Sequence, residues 1–300
     1  MVPFLLYGGK MIIPRKSALG NRVEIQKPNT ETILKVFSRA QGGKYANSMA
    51  SLLEGSIESF EGEKVSLTHL KQLPLVSAEF IAVEAFKLYG LPTKLEGVYP
   101  CPRCDFKIIH EEKDGADNRP DLNDFQVIYD DPEESYESEF FKLSLEEGNE
   151  VSIKVKKSKQ DEEETEVATL TEYIFSDITL GTMMEIENDT TLKDSSSHLK
   201  KAYYMHLVDV NGNTTEDLDL KTLKSRYGYM IMNFPDVSDF FSISEGMRRF
   251  GIQPYVPMCC PDCKKEWEQV VDFASFFVYA LRSSQSKNTG KSIGTKTRIR

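Results

Sequence analysis

The sequence predicts an α+β fold of two pseudo-symmetric lobes that arose by internal duplication and meet at a four-cysteine, zinc-ribbon-like site. Three observations carry that expectation. Strand-like and helix-like stretches are interspersed along the chain. Short segments of its first part recur in the same order in its second. Each series then ends on a Cys-Pro-x-Cys turn, Cys101-Pro102-Arg103-Cys104 and Cys260-Pro261-Asp262-Cys263.

Gly20-Asn21 introduces Val23 and Ile25, which alternate with Arg22, Glu24 and Gln26 in the period of a half-buried strand. A helix is expected next, capped by Asn29 or Thr30, favoured by Glu31, and burying Ile33, Leu34 and Phe37. A second helix starts near Ser77, turns Phe80, Ile81, Ala85 and Leu88 inward, and stops at Gly90 with Pro92 just beyond. From Glu111 to Glu147 acids and turn formers dominate, as in an exposed connection, with one strand at Phe125 to Tyr129. The charged run Lys154 to Glu166 reads as a solvated loop or helix start. Tyr203 to Val210 reads as a strand, Asn211-Gly212 as a tight hairpin turn, and Leu218, Leu220 and Leu223 as the start of a packed region. Phe240, Phe241, Ile243, Met247 and Phe250 recur at helical intervals until Gly251.

The internal repeat organises these elements. Gly20-Asn21-Arg22-Val23-Glu24-Ile25 returns as Gly148-Asn149-Glu150-Val151-Ser152-Ile153, and Leu67-Thr68-His69-Leu70-Lys71 as Leu220-Lys221-Thr222-Leu223-Lys224. Phe86 to Gly90 matches Met247 to Gly251, and the Cys-Pro-x-Cys turn follows about ten residues later in each copy. The expected division is a first α+β lobe over 1–110 with the first knuckle, an acidic connection over 111–147, a second α+β lobe over 148–281 with the second knuckle, and a basic flexible tail over 282–300.

Composition excludes several function classes. Hydrophobic residues make up 40% and charged residues 28% of the 300, the balance of a globular chain. A core of that size buries about three quarters of the unfolded surface and does not depend on a metal for bulk stability. No apolar run approaches the roughly 20 residues of a spanning helix; the longest, Phe273 to Leu281, is interrupted by Ser275, so no membrane partner is expected. The formal charge of -10 makes nucleic acid an unlikely partner, because displacing counterions from phosphates needs a basic face. Without a basic region ahead of the apolar patch Val2, Phe4, Leu5 and Leu6, the chain is expected to be intracellular. Five cysteines, four in two paired turns, fit reduced thiols better than a secreted disulfide framework.

Cys101, Cys104, Cys260 and Cys263 are the candidate metal ligands. A C-P-x-C turn faces both thiolates to one point while nearby N–H groups turn toward the sulfurs, which is half of a tetrahedral structural zinc site. Two turns supply four ligands, and one ion would clamp the pseudo-twofold junction. Two other readings stay open. Cys104 and Cys260 stand 156 positions apart, far beyond local zinc-ribbon spacing, so each pair could be an inert reduced thiol pair. C-P-x-C also serves thiol–disulfide exchange at a helix N-terminus, although neither copy visibly opens an amphipathic helix. Asp105 and Lys264 stand where a glycine often follows the second cysteine. Cys259 is expected beside the ligands or in the core. His69, His110, His198 and His206 form no spaced cluster and read as surface or satisfied core residues.

No catalytic site is expected. Gly8-Gly9-Lys10 and Gly42-Gly43-Lys44 lack the spacing of a phosphate-cradling loop, and G-x-S-x-G, H-E-x-x-H and the dinucleotide fingerprint are missing from the sequence. A structural zinc has four protein ligands and no open position for water. Neither an enzyme nor a small-molecule substrate is implied.

Taken in order, these features resemble the baseplate proteins of contractile-tailed bacteriophages, among them the T-even-like baseplate hub assembly protein. The resemblance rests on Leu67 to Gly90 with Glu79-Phe80 and Tyr89-Gly90, on Cys101-Pro102-x-Cys104, on Gly148 to Ile153, and on Cys260-Pro261-x-Cys263 with Phe276-Phe277. It covers roughly residues 20 to 280. The acidic insertions, the missing knuckle glycines and the basic tail depart from it. The resemblance implies a late, non-enzymatic protein that is a baseplate hub component or hub assembly factor. Its partners would be other phage tail or baseplate hub proteins. Its place would be the host cytoplasm during assembly, or the baseplate of the virion tail. The rival expectation is a zinc-ribbon nucleic-acid-binding or transcription-associated factor with Arg282 to Arg300 as its basic arm. A redox protein with a reactive thiol in one turn is a third.

Overall fold

A computed structural model describes residues 10–90, 93–95, 98–108, 118–130, 140–155, 164–192, 194–213 and 237–271. Their architecture is α+β, and the chain divides into two units. Unit 1 holds the described residues of Met1–Leu70, Val76–Tyr129 and Gly251–Arg300, and unit 2 those of Lys71–Leu75 and Asp130–Phe250.

Unit 1 begins with the antiparallel strands Lys10–Ser17 (β1), Gly20–Ile25 (β2) and Ile57–Phe60 (β3), in the order β1-β2-β3. Met11 lies opposite Val23 and Val23 opposite Phe60, so these three share the buried face. On the other face Lys10 pairs with Glu24 at 2.5 Å, and Ser59 donates to Glu24 at 2.9 Å. Helix α1 (Thr30–Gln41) is capped by Asn29, whose side chain accepts the Thr32 N–H at 2.8 Å. Its buried stripe is Ile33, Val36, Phe37 and Ala40, the i, i+3, i+4, i+7 set. Leu34 was expected inside; at about 100° of helical rotation from Ile33 it falls off that stripe and is 60% exposed. Helix α2 (Tyr45–Ser56) packs on α1, and α3 (Leu67–Lys71) leads toward α4 (Leu75–Tyr89). From Val76 to Phe86, α4 buries every side chain except Glu84, and Gly90 ends it at φ +83 as expected.

The cysteine-bearing part of unit 1 consists of short strands. Tyr99–Pro100 (β4) pairs with Lys107–Ile108 (β5), and Tyr255–Cys259 (β11) with Glu266–Val270 (β12). Between them in sequence, Val127–Ile128 (β6) pairs with Gly251–Ile252 (β10), and Gln253 donates its N–H to the Gln126 carbonyl at 2.9 Å. A Cβ at Gly251 would lie 2.7 Å from that of Val76, so the glycine lets β10 approach α4. This pairing returns the second knuckle to unit 1, whereas the sequence placed it in a second lobe over 148–281.

The expected exposed connection over 111–147 is only partly that. Arg119, Pro120, Leu122 and Phe125 are buried, around a short 3₁₀ turn at Leu122–Asp124, because the turn formers there fold back onto the unit. Of the strand predicted at Phe125 to Tyr129, only Val127–Ile128 is present, as β6. Phe140 to Glu147 belongs to a strand of unit 2; residues 109–117, with His110, and 131–139 lie outside the described ones.

Unit 2 is a meander of Phe140–Val155 (β7), Glu164–Ser176 (β8) and Leu207–Asn213 (β9), ordered β7-β8-β9, with helices α5 (Leu180–Asn188), α6 (Ser195–His206) and α7 (Val237–Met247). Its core comprises Leu143, Leu145, Leu170, Tyr173, Phe175, Tyr203, Leu207, Ile243 and Met247. Lys71–Leu75 joins this unit through Leu75 N–H to the Ile178 carbonyl at 2.7 Å and Leu180 N–H to the Leu73 carbonyl at 2.9 Å.

Three expectations change here. Tyr203 to His206 is helical, because Asp194 caps α6 by accepting the Ser197 N–H at 2.8 Å and carries the helix through to the start of β9. Asn211 and Gly212 sit within β9 opposite Glu172 and Leu170, where β8 bulges at Thr171, and make no tight turn. The charged run is partly strand, with Lys154 opposite Thr165 and Ile153 opposite Glu166; residues 156–163 lie outside the described ones. So do Leu218, Leu220 and Leu223, the segment 273–281 and the tail 282–300. Among the described residues no helix is long and apolar enough to cross a membrane.

Candidate metal centre

Both Cys-Pro-x-Cys turns sit at the tips of hairpins, and the two tips are built alike. In the β4–β5 hairpin the Cys101 N–H donates to the Phe106 carbonyl at 2.8 Å, and the Asp105 N–H to the Cys101 carbonyl at 3.0 Å. In the β11–β12 hairpin the Cys260 N–H donates to the Lys265 carbonyl at 2.9 Å, and the Lys264 N–H to the Cys260 carbonyl at 3.0 Å. The residue after the second cysteine is left-handed in both, Asp105 at φ 56° and Lys264 at φ 57°. That conformation explains the usual glycine there; this chain adopts it with side chains present.

The four sulfurs converge. Cys101 Sγ lies 3.6 Å from Cys263 Sγ and Cys104 Sγ 3.7 Å from Cys260 Sγ, and all four lie within 4.8 Å of one another. A tetrahedral ion with metal–sulfur bonds of about 2.3 Å needs sulfur–sulfur edges of about 3.8 Å. Cys101 and Cys260 are fully buried, Cys263 is half-buried and Cys104 exposed, so the group has a dry inner side and a wet outer one. The set is all thiol, as the sequence predicted for these four residues, and it lies within unit 1.

Electrostatics explain why such a set suits a cation. Burial pushes the Cys101 thiol up, but the N–H groups of Arg103 and Cys104 and the neighbouring Cys263 and Cys104 thiols outweigh it and bring the group to about 7. At Cys104 the Phe106 N–H favours the thiolate, yet burial and the adjoining Cys263, Cys260 and Cys101 sulfurs hold it at about 12. At Cys263 the Lys265 N–H also favours ionisation and is outweighed by burial and by Cys101 and Cys260. One thiolate forms readily and opposes the next. A divalent cation held by the four sulfurs would remove that repulsion, and the N–H groups of Arg103 and Cys263 would then donate to coordinated sulfur.

The remaining sequence candidates are elsewhere. Cys259 was expected in the core or beside the ligands; it is exposed on the outer face of β11, with Sγ 3.9 Å from the Cys260 carbonyl, because Met258 and Cys260 take the inward positions. His69 is exposed and accepts the Ser66 N–H at 3.4 Å. His206 bridges Ser176 Oγ at 3.0 Å and Thr182 Oγ1 at 2.7 Å, a satisfied role in unit 2. Sequence reasoning placed a strand at Phe125 to Tyr129 but missed its partner β10, because a two-residue strand leaves no periodicity to read. No family model, curated protein or solved structure matches the chain.

Proposed function

We propose that the four cysteines hold one structural zinc ion and that the protein is a non-enzymatic assembly protein acting through protein–protein contacts. The observation that carries this reading is the convergence of four sulfurs, from hairpins far apart in sequence, at tetrahedral spacing. Zinc is favoured over harder cations because thiolate donors select it, and four protein ligands leave no open position for catalysis. The shared backbone bonds and left-handed residue of the two knuckle hairpins support their origin by duplication.

The resemblance of the ordered motifs to phage baseplate proteins makes a tail baseplate hub component or hub assembly factor the specific role we propose. Its partners would be other tail proteins, met in the host cytoplasm during assembly. A rigid staple between distant chain segments suits a protein that must present a fixed surface, since ordering is completed before the partner arrives.

The test is metal analysis of protein purified under reducing conditions, together with co-purification of co-expressed tail proteins. About one zinc per chain is expected, falling well below half in Cys101→Ser and Cys263→Ser while most secondary structure remains. Unchanged metal content in both variants overturns the zinc site. A salt-dependent shift with DNA or RNA, lost on deleting 282–300, would replace the assembly role by the nucleic-acid-binding one.

A further inference from the structure

We infer that the four cysteines form a convertible staple: under oxidising conditions they pair across the two hairpins, Cys101 with Cys263 and Cys104 with Cys260, so that the hairpins stay joined when the metal is gone. The inference deepens the zinc reading and rests on the same four residues, but on a different property of them.

That property is which sulfurs face each other. The 3.6 and 3.7 Å approaches both run between hairpins, from a first cysteine of one knuckle to a second cysteine of the other. Inside each knuckle a backbone N–H engages the sulfur of the first cysteine. Arg103 N–H points at Cys101 Sγ from 3.4 Å and Cys263 N–H at Cys260 Sγ from 3.5 Å, holding these sulfurs toward the opposite hairpin. Bonding within a turn would draw them off those donors. Bonding across needs each facing pair to close to the roughly 2.05 Å of a disulfide.

Access sets the order of events. Cys104 is exposed, whereas Cys101 and Cys260 are fully buried. With a hydroperoxide as oxidant, the exposed Cys104 sulfur gives up its proton and attacks the O–O bond; a sulfur–oxygen bond forms, the O–O bond breaks, and the alcohol or water leaves after taking that proton. Cys260 then attacks the sulfenic sulfur, the sulfur–sulfur bond forms, and the second oxygen leaves as water. Two thiols are oxidised and one hydroperoxide reduced. A second equivalent does the same for Cys263, half-buried, and Cys101. The oxidised cluster presents no thiolate and no longer ligates a metal.

The experiment treats the full-length protein with hydrogen peroxide or diamide, follows zinc release with a chromogenic chelator, and maps disulfides by peptide mass spectrometry without reduction. Expected are a mass about 4 Da lower and peptides joined Cys101–Cys263 and Cys104–Cys260. Cys104→Ser should abolish the 104–260 link and leave the 101–263 link available, with a mass about 2 Da lower on oxidation. Peptides joined within a turn, Cys101–Cys104 and Cys260–Cys263, overturn the inference, as do sulfinic or sulfonic products without disulfides. Protein that holds zinc but oxidises within its turns refutes the convertible staple alone. Protein that holds no metal yet links across its hairpins refutes the zinc reading alone.

Discussion

Tyr173 shows how single side chains hold unit 2. Its ring is fully buried between the other core residues, stacked on Phe175 at 6.4 Å, and its hydroxyl accepts from Asn149 Nδ2 at 2.8 Å. Burial pushes the phenol up to about 12; the Asn149 bond lowers it slightly and the Asp239 charge raises it. The folded state therefore keeps the proton more tightly than the unfolded one, whose phenol ionises near about 10. This contribution is complete below about pH 10 and is lost as pH rises toward about 12. Tyr173→Phe should remove up to about 2 kcal/mol of the alkaline loss, measured as a flatter denaturation-against-pH profile between about pH 9 and 12. An unchanged alkaline slope would assign the loss to other groups. At neutral pH the same substitution leaves Asn149 buried without this acceptor, and about 1–2 kcal/mol of destabilisation is expected.

At the scale of elements, the two knuckle turns make the sharper case. Lys264 and Asp105 hold a left-handed backbone that costs an L residue roughly 1–2 kcal/mol. Lys264→Gly should raise the stability of unit 1 by about 0.5 kcal/mol after the greater chain entropy of glycine is counted. Asp105→Gly should give less, because Asp tolerates this region, and Lys264→Val should destabilise. A denaturant series that ranks valine above glycine at 264 would mean that the turn is not held as described. Gly148 is the counterpart in unit 2. It sits at φ +72 in the wide bulge of β7 between Ser144 and Asn149, where a Cβ would come 2.6 Å from Thr169 Cγ2.

These elements also explain what could be read in advance. The α1 cap at Asn29, the end of α4 at Gly90 and the turn that joins the two cysteines of each knuckle rest on contacts within a few residues, and the alternation at Val23 and Ile25 is itself a local pattern, all of which spacing encodes. Long-range pairing decided the rest. Asn211-Gly212 has hairpin chemistry, yet β8 offers it a ladder and the turn does not form. Tyr203 has strand propensity, but the Asp194 cap and the inward stripe of Ala202 and Tyr203 keep it in α6. The recurring segments suggested two lobes with a knuckle each; both knuckles fall in unit 1, where β10 pairs with β6 over two residues that no local pattern announces.

For the whole molecule, that gathering would make the effect of a bound metal uneven. Unit 2 has its own core of Leu170, Tyr173, Phe175, Tyr203 and Ile243, all nearly or fully buried, and no ligand of the cluster. In unit 1 a metal held by the cluster would tie the segment around Cys101 to that around Cys260, both of which lie in short strand pairs. Short two-stranded pairs are marginal alone, so the staple should matter most where they are. Metal removal by a strong chelator under reducing conditions should raise amide exchange in β4, β5 and β10–β12 by at least about tenfold. Exchange in β7–β9 should stay within about twofold of its holo value. Cys260→Ser should reproduce that pattern without chelator. Exchange rising equally in both units would show that the cluster supports the molecule globally, and exchange unchanged everywhere would show that the hairpins hold without it.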